Sequence, residues 1–154
     1  GVRPYPGLFS FTGWAQHVLP ATPDGRRKGE PASYGVGPSA WVEGKTPTSV
    51  LRSCATVEHD RYGCGNPLML AVSADDVKGD AGLQRLRELI DGYFVLGGFH
   101  LHFNIVSADQ LREAQRTPEK HTDLLVRISG LSAQFVTLDE RLQNGIIERT
   151  ERGL

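Results

Sequence analysis

Apolar positions along the second half of the chain recur at two different spacings. From Asp80 onward, Leu83, Leu86, Ile90, Tyr93, Phe94 and Gly97 return at helical intervals, with charged residues on the opposite side. The next apolar block, FHLHFNIV, is short and rich in strand formers, so it predicts a strand. Ser107-x-x-Gln110 then has the form of a capping box and predicts a second helix. A turn at Thr117-Pro118 leads to the run LLVRI, a further strand, and Thr137-x-x-Glu140 is positioned to cap a last helix carrying Leu142, Ile146 and Ile147. One feature breaks the pattern. In LLVRISGLSAQFV the apolar run is interrupted by Ser129-Gly130 and then resumes, which places a glycine inside an expected buried strand.

The first half reads differently. GLFSFT predicts a short strand, and ATPDGRRKGEPASYGVGPSA a long ordered loop with a turn at Pro23-Asp24-Gly25. KTPTSVLRSCATVEH suits a helix with Thr46 as N-cap and Pro47 at the first helical position, and PLMLAV a strand. Helices alternating with strands predict an α/β fold with parallel pairing. The division falls near Asp80: a loop-rich segment over 1–79 and a regular segment over 80–154. A loop of about 20 residues without secondary structure is uncommon in a compact domain. The expectation is therefore a chain ordered by a larger assembly, either a partner or missing upstream sequence.

Composition narrows the class. The chain has 154 residues, 39% hydrophobic and 23% charged, which is ordinary for one globular domain. A formal net charge of −1 offers no electrostatic attraction to nucleic acid or to an anionic membrane. No apolar run approaches the roughly 20 residues that cross a bilayer, and no signal peptide opens the chain, so cytoplasm is the expected location. Cys54 and Cys64 are too few for a disulfide framework. Gly1 stands where a Met would begin a chain, so the sequence reads as processed, tagged or cut from something longer.

Several small motifs can be set aside on context. GVGPSA matches the dinucleotide-binding glycine pattern, but no strand precedes it and no helix follows. EGKT lacks the first glycine of a phosphate-binding loop, because position 39 is Ser39. His100 and His102 share one face of the expected strand, yet a metal would need a third ligand from His59, Cys54, Cys64 or a carboxylate. The reading preferred is half-buried histidines hydrogen-bonded near a strand end, with no metal. Cys64 lies between glycines near Arg61 and His59, a setting that a reactive thiol would use, but a small loop cysteine is the simpler account. Cys54 is expected in the core.

RISG, SAQFV and IIERT, in that order, resemble the C-terminal signature of the glycyl radical enzymes, the family of pyruvate formate-lyase and the cobalamin-independent glycerol and diol dehydratases. Arg127, Ser129, Gly130, Ser132, Ala133, Phe135, Gln143, Ile146, Ile147, Arg149 and Thr150 match that pattern. PGLFSF, ATPDGRRKGEP, TPTSVLRS, GGFHLHFNIVS and LREAQRTPEKHTDLLVR agree in order, so the resemblance covers essentially the whole chain and is closer to the dehydratase and decarboxylase branch. It implies the C-terminal portion of a ten-stranded α/β barrel, completed by a partner chain. It further implies Gly130 as the catalytic radical site, with Arg127, Ser129, Leu131 and Ser132 supporting the radical loop. A glycine suits this chemistry because a Cα radical shared with the flanking amides must be planar, and only glycine lacks a Cβ to crowd it. Apolar flanks are expected to bury it.

The resemblance implies no directly bound cofactor. A radical-SAM activating enzyme, with its own iron–sulfur cluster and S-adenosylmethionine, installs the radical. A large subunit carries the cysteine loop, and the substrate is a small molecule. Two departures bear on the site. Leu131 stands where the family has an aromatic residue. In GCGNP, Asn66 replaces the glutamate of the family's cysteine motif and lies too near Gly130 in sequence, so Cys64 is not assigned as the thiyl site. The expected role is the radical-bearing small subunit of a split enzyme of the lyase, dehydratase or decarboxylase kind. The alternative is a spare part or a non-catalytic piece of a barrel. Of the GLFSFT strand, Leu8 or Ser10 is expected to reach a pocket.

Overall fold

A computed structural model describes residues 18–39, 42, 44–62, 65–128 and 130–151. The expected GLFSFT strand, with Leu8 and Ser10, lies outside the described residues, as do Cys64 and Ser129. Among the described residues after Val18, the helices in chain order are α1 (Pro47–Ala55), α2 (Gly79–Val95), α3 (Ala108–Arg116) and α4 (Glu140–Glu151). The strands are β1 (Leu68–Val72), β2 (Leu101–Ile105), β3 (Leu125–Ile128) and β4 (Leu131–Gln134). They form two two-stranded sheets, β1 with β2 and β3 with β4. No helix among the described residues is long and apolar enough to cross a membrane.

The described residues fall into two units. One runs to Leu68 and adds Gly92–Leu101; the other is Met69–Asp91 with His102 onward. In the first unit, the long loop holds itself together without regular structure. Arg26 is buried, and its guanidinium donates to the carbonyls of Pro20, Arg27 and Glu30, the last at 2.8 Å. The turn expected at Pro23-Asp24-Gly25 is present, with the Gly25 N–H on the Thr22 carbonyl at 3.1 Å and Gly25 at φ 99°. One planar cation with several donors thus replaces the ladder that a helix or strand would supply. Further along, Gly35 has φ 57°, and a Cβ there would lie 1.9 Å from the Pro67 carbonyl oxygen. Close backbone approach is therefore the reason for the first glycine of GVGPSA.

Helix α1 starts as its sequence predicts. Thr46 accepts the Ser49 N–H, Ser49 Oγ returns the bond to the Thr46 N–H at 2.9 Å, and Pro47 opens the first turn. Its buried face is Val50, Leu51, Cys54 and Ala55. The Cys54 thiol donates to the Val36 carbonyl at 3.2 Å, and burial pushes its pKa from the ordinary 9.0 up to about 11. Buried His59 uses both ring nitrogens: Nε2 donates to the Cys54 carbonyl at 3.0 Å, so Nδ1 accepts from the Asn66 amide.

The second unit carries a core of Val106, Leu111, Ala114, Val126, Phe135, Ile146 and Ile147. Helices α3 and α4 enclose one side of it, and the β3–β4 hairpin supplies Val126 from another. Two expectations are corrected here. First, the stretch from Leu124 to Val136 is not one strand interrupted by a glycine. It is an antiparallel hairpin, with Leu125 opposite Gln134, Val126 opposite Ala133, Arg127 opposite Ser132 and Ile128 opposite Leu131. Two positions, 129 and 130, separate the strands, and a connection that short joins antiparallel strands. Second, the cap of α4 is Asp139, whose Oδ1 accepts the Leu142 N–H at 3.0 Å. Thr137 is drawn into a 3₁₀ turn over Phe135–Thr137 and donates to the Gln134 carbonyl instead. It lies too far ahead of the first helical residue to reach the free N–H groups. Along α2, Tyr93 is buried, Leu86 and Ile90 are half-buried, and Leu83 and Phe94 remain 57% and 47% exposed.

Arg26→Ala strands several backbone acceptors at once, at about 1–3 kcal/mol for each one left buried and unpaired. Limited proteolysis should then cut within residues 20–30, where the parent protein resists. The raised Cys54 pKa makes stability complete below pH 9 and progressively lost towards pH 11, because the unfolded thiol ionises first. Thermal melts of Cys54→Ala against the parent should show a flatter decline over that interval; parallel curves would refute the assignment.

Candidate functional site

Gly130 occupies the tip of the β3–β4 hairpin, where Ile128 and Leu131 form the last cross-strand pair. It is exposed, and a Cβ built on it meets no described atom within 4 Å beyond its chain neighbours. The contrast with Gly35 is direct: there a side chain is excluded by a carbonyl, whereas here space is open. Among the described residues, nothing provides the expected burial of this glycine between apolar flanks. Leu131 beside it is 58% exposed. Ser132 is likewise exposed, while Arg127 is half-buried. Arg127 Nη1 donates weakly to Ser132 Oγ across the hairpin at 3.4 Å, and Arg127 Nε is buried with no hydrogen-bond partner among the described residues.

The tip is bare, but its base is tied down at three points. The Phe135 N–H donates to the Leu124 carbonyl at 2.8 Å and closes the hairpin. Beyond it, Gln143 on α4 is buried, and its Nε2 donates to the carbonyls of Phe135 at 3.1 Å and Leu138 at 3.2 Å. Gln115 on α3 in turn donates to Gln143 Oε1 and to Asn144 Oδ1, at 3.2 and 2.9 Å. On the entry strand, Asn104 of β2 accepts the Arg127 N–H at 2.6 Å and donates to the Arg127 carbonyl at 3.1 Å. Underneath, Val126 and Phe135 are 1% and 0% exposed, so the hairpin is pinned by packing as well as by polar contacts. The physical outcome is a stiff stalk presenting one unobstructed backbone Cα.

Of the residues singled out from sequence, Gly130, Arg127, Leu131 and Ser132 come together on this hairpin, and Ser129 lies outside the described residues. His100 and His102 are half-buried. No group of three or more metal-ligating side chains occurs among the described residues. Cys54 is buried in α1 and its thiol is held protonated by desolvation. Asn104 was not apparent from sequence. Its one signal is a polar residue inside the otherwise apolar run FNIV, and strand β2 buries Asn104 while leaving Ile105 44% exposed. Gln143 belonged to the motif, but its role as the hairpin's exit anchor required the helix to be placed.

Comparison with known proteins agrees with these features. The family described as "Glycine radical" matches residues 32–136, a span that includes the whole hairpin. The chain is 36% identical over 135 residues to trans-4-hydroxy-L-proline dehydratase of Clostridioides difficile, covering 88% of this chain and 17% of that protein. It is 38% identical over 135 residues to (2S)-3-sulfopropanediol dehydratase of Klebsiella oxytoca, covering 85% of this chain and 16% of that one. Among solved structures, the glycerol-bound B12-independent glycerol dehydratase from Clostridium butyricum superposes with a TM-score of 0.88 at 39% identity, over 94% of this chain and 19% of that one. The chain thus spans less than a fifth of the length of these relatives. Its matched span, its hairpin and its mixed α/β fold place it together with them: the chain belongs to the glycyl radical enzyme family.

Proposed function

We propose that this chain is the radical-bearing subunit of a split glycyl radical enzyme, with the radical stored on Gly130. The observation that carries this reading is the bare Cα of Gly130 at the tip of an anchored hairpin. A turn glycine needs only its backbone freedom, whereas a hydrogen-atom donor also needs an approachable C–H bond. Gly130 gives up one Cα hydrogen atom to the radical that an S-adenosylmethionine-dependent activase supplies from its iron–sulfur cluster chemistry. The C–H bond breaks homolytically, and the unpaired electron left on carbon spreads into the amide on either side. No side chain is present to twist that planar centre.

Radical transfer reverses the same bond change. Gly130 recovers a hydrogen atom from a cysteine thiol, and the sulfur is left with the unpaired electron that starts substrate chemistry. That cysteine belongs to a large partner subunit. Cys54 does not suit the task, since its thiol is enclosed by α1 and engaged with the Val36 carbonyl. Arg127, Ser129, Leu131 and Ser132 are the hairpin positions that shape the approach to Gly130, and the partner provides the apolar cover that this chain lacks at the tip. On this reading, 80–154 is the glycyl radical domain and 1–79 the loop-rich segment that lines the partner's barrel, in an anaerobic and cytoplasmic setting. The reaction is of the lyase kind: dehydration of a small hydroxylated substrate, as the names of the relatives above indicate for those proteins, or decarboxylation or another C–C bond reaction.

Electron paramagnetic resonance of the anaerobic native complex, after activation with reductant and S-adenosylmethionine, should show a glycine doublet. Gly130→Ala should abolish it without lowering the melting temperature of the chain. A complex that turns over with no doublet, or an Ala variant that keeps it, would falsify the assignment of Gly130. A silent, partner-bound chain beside a demonstrably active activase would leave a spare or purely structural barrel piece.

A further inference from the structure

Asn104 is placed against the grain of its strand, and the reason lies in the open edge of the hairpin. Bonded and non-bonded pairs alternate along antiparallel strands. The Phe135 N–H to Leu124 carbonyl bond marks one bonded pair. Counting along the register, Val126–Ala133 is the next bonded pair and Arg127–Ser132 is a non-bonded one. The N–H and C=O of Arg127 therefore point away from β4 and would be orphaned at a buried edge. Asn104 takes both, by Oδ1 at 2.6 Å and Nδ2 at 3.1 Å. The second Nδ2 hydrogen faces Met69 Sδ on β1 at 3.8 Å. The amide orientation follows from this network, since the reversed one would oppose donor to donor and acceptor to acceptor.

We infer that Asn104 is a positioning residue for the radical site: its carboxamide stands in for a third strand beside Arg127 and so sets the register and reach of the Gly130 hairpin. This rests on the reading of Gly130 as the radical carrier. Gly130 lies three positions after Arg127, at most about 10 Å along the chain. A shift at the clamp is therefore carried almost undiminished to the tip. Hydrogen-atom transfer is sensitive to such shifts, because the reacting atoms must meet at near-contact distance. Slippage by one residue would also turn Val126 out of the core, so the clamp and the packing below it select the same register. Gln143 restrains the exit strand from α4, but it grips carbonyls beyond the hairpin. Among the described residues, Asn104 is the side chain from outside the hairpin that grips the β3 backbone.

Two substitutions separate positioning from folding. Asn104→Asp is nearly isosteric, keeps the acceptor for the Arg127 N–H and loses the donor to its carbonyl. Asn104→Ala loses both and tests the same contact even where the Asp variant rearranges. The readouts are hydrogen–deuterium exchange of the full chain and turnover per glycyl spin of the activated complex. Exchange over residues 124–135 should rise at least tenfold in both variants, with α3 unchanged. Turnover per spin should fall at least tenfold at unaltered KM, an effect that lost stability alone does not produce once counted spins normalise it. Hairpin exchange unchanged in Asn104→Ala, or turnover per spin within twofold of the parent, overturns the inference while leaving Gly130 as carrier. A parent complex without any doublet removes the carrier itself, and the positioning role with it.

Discussion

The β3–β4 hairpin has to bury one face and leave its tip bare, and much of the second unit can be understood from that requirement. Val126 and Phe135 anchor its lower part in the core, packed with α3 and α4 residues that lie far from Gly130 in sequence. Burial of side chains this size is worth about 1.5–3 kcal/mol each, so the base of the hairpin is held by packing first. The polar ties then define where the held strand points. Neither contribution extends to the turn itself, where Gly130 meets open space.

This division of labour matters for chemistry on a backbone atom. A side-chain nucleophile can adjust through its rotamers, but a Cα moves only with its chain. Delivering a particular Cα to a partner thus requires rigidity behind it and clearance around it. Asn104 and Gln143 supply the first through buried amides that act as substitutes for backbone partners. Clearance comes from the shortness of the turn and from glycine's missing side chain. Exposed Leu131 beside the tip is apolar surface that a covering partner would bury with gain.

A similar economy governs the first unit. Its loop is long by any ordinary measure, yet Arg26 gathers the carbonyls of Pro20, Arg27 and Glu30 into one buried cluster. The loop therefore has internal order of its own, and a partner need not supply all of it. Cys54 and His59 complete a polar interior whose hydrogen bonds are local and closed to solvent. That enclosure leaves the Cys54 thiol unsuited to redox chemistry.

Local chemistry was legible from the amino-acid order. The Thr46 cap with Pro47, the turn at Gly25, the helical spacing after Asp80 and the strand at Leu125–Ile128 all depend on contacts within a few residues. The family motif around Gly130 was equally readable, because its chemistry dictates residue types in a short run. Tertiary structure decided the rest. Whether Ser129-Gly130 interrupts a strand or turns a hairpin depends on what Ala133 and Ser132 pair with, and a run of apolar residues carries no direction for that pairing. The cap of α4 passed to Asp139 once the Phe135 turn had claimed Thr137. Asn104 became meaningful only when β2 came to lie beside an edge whose free N–H and C=O match a carboxamide, a complementarity between residues 23 apart that no local pattern encodes.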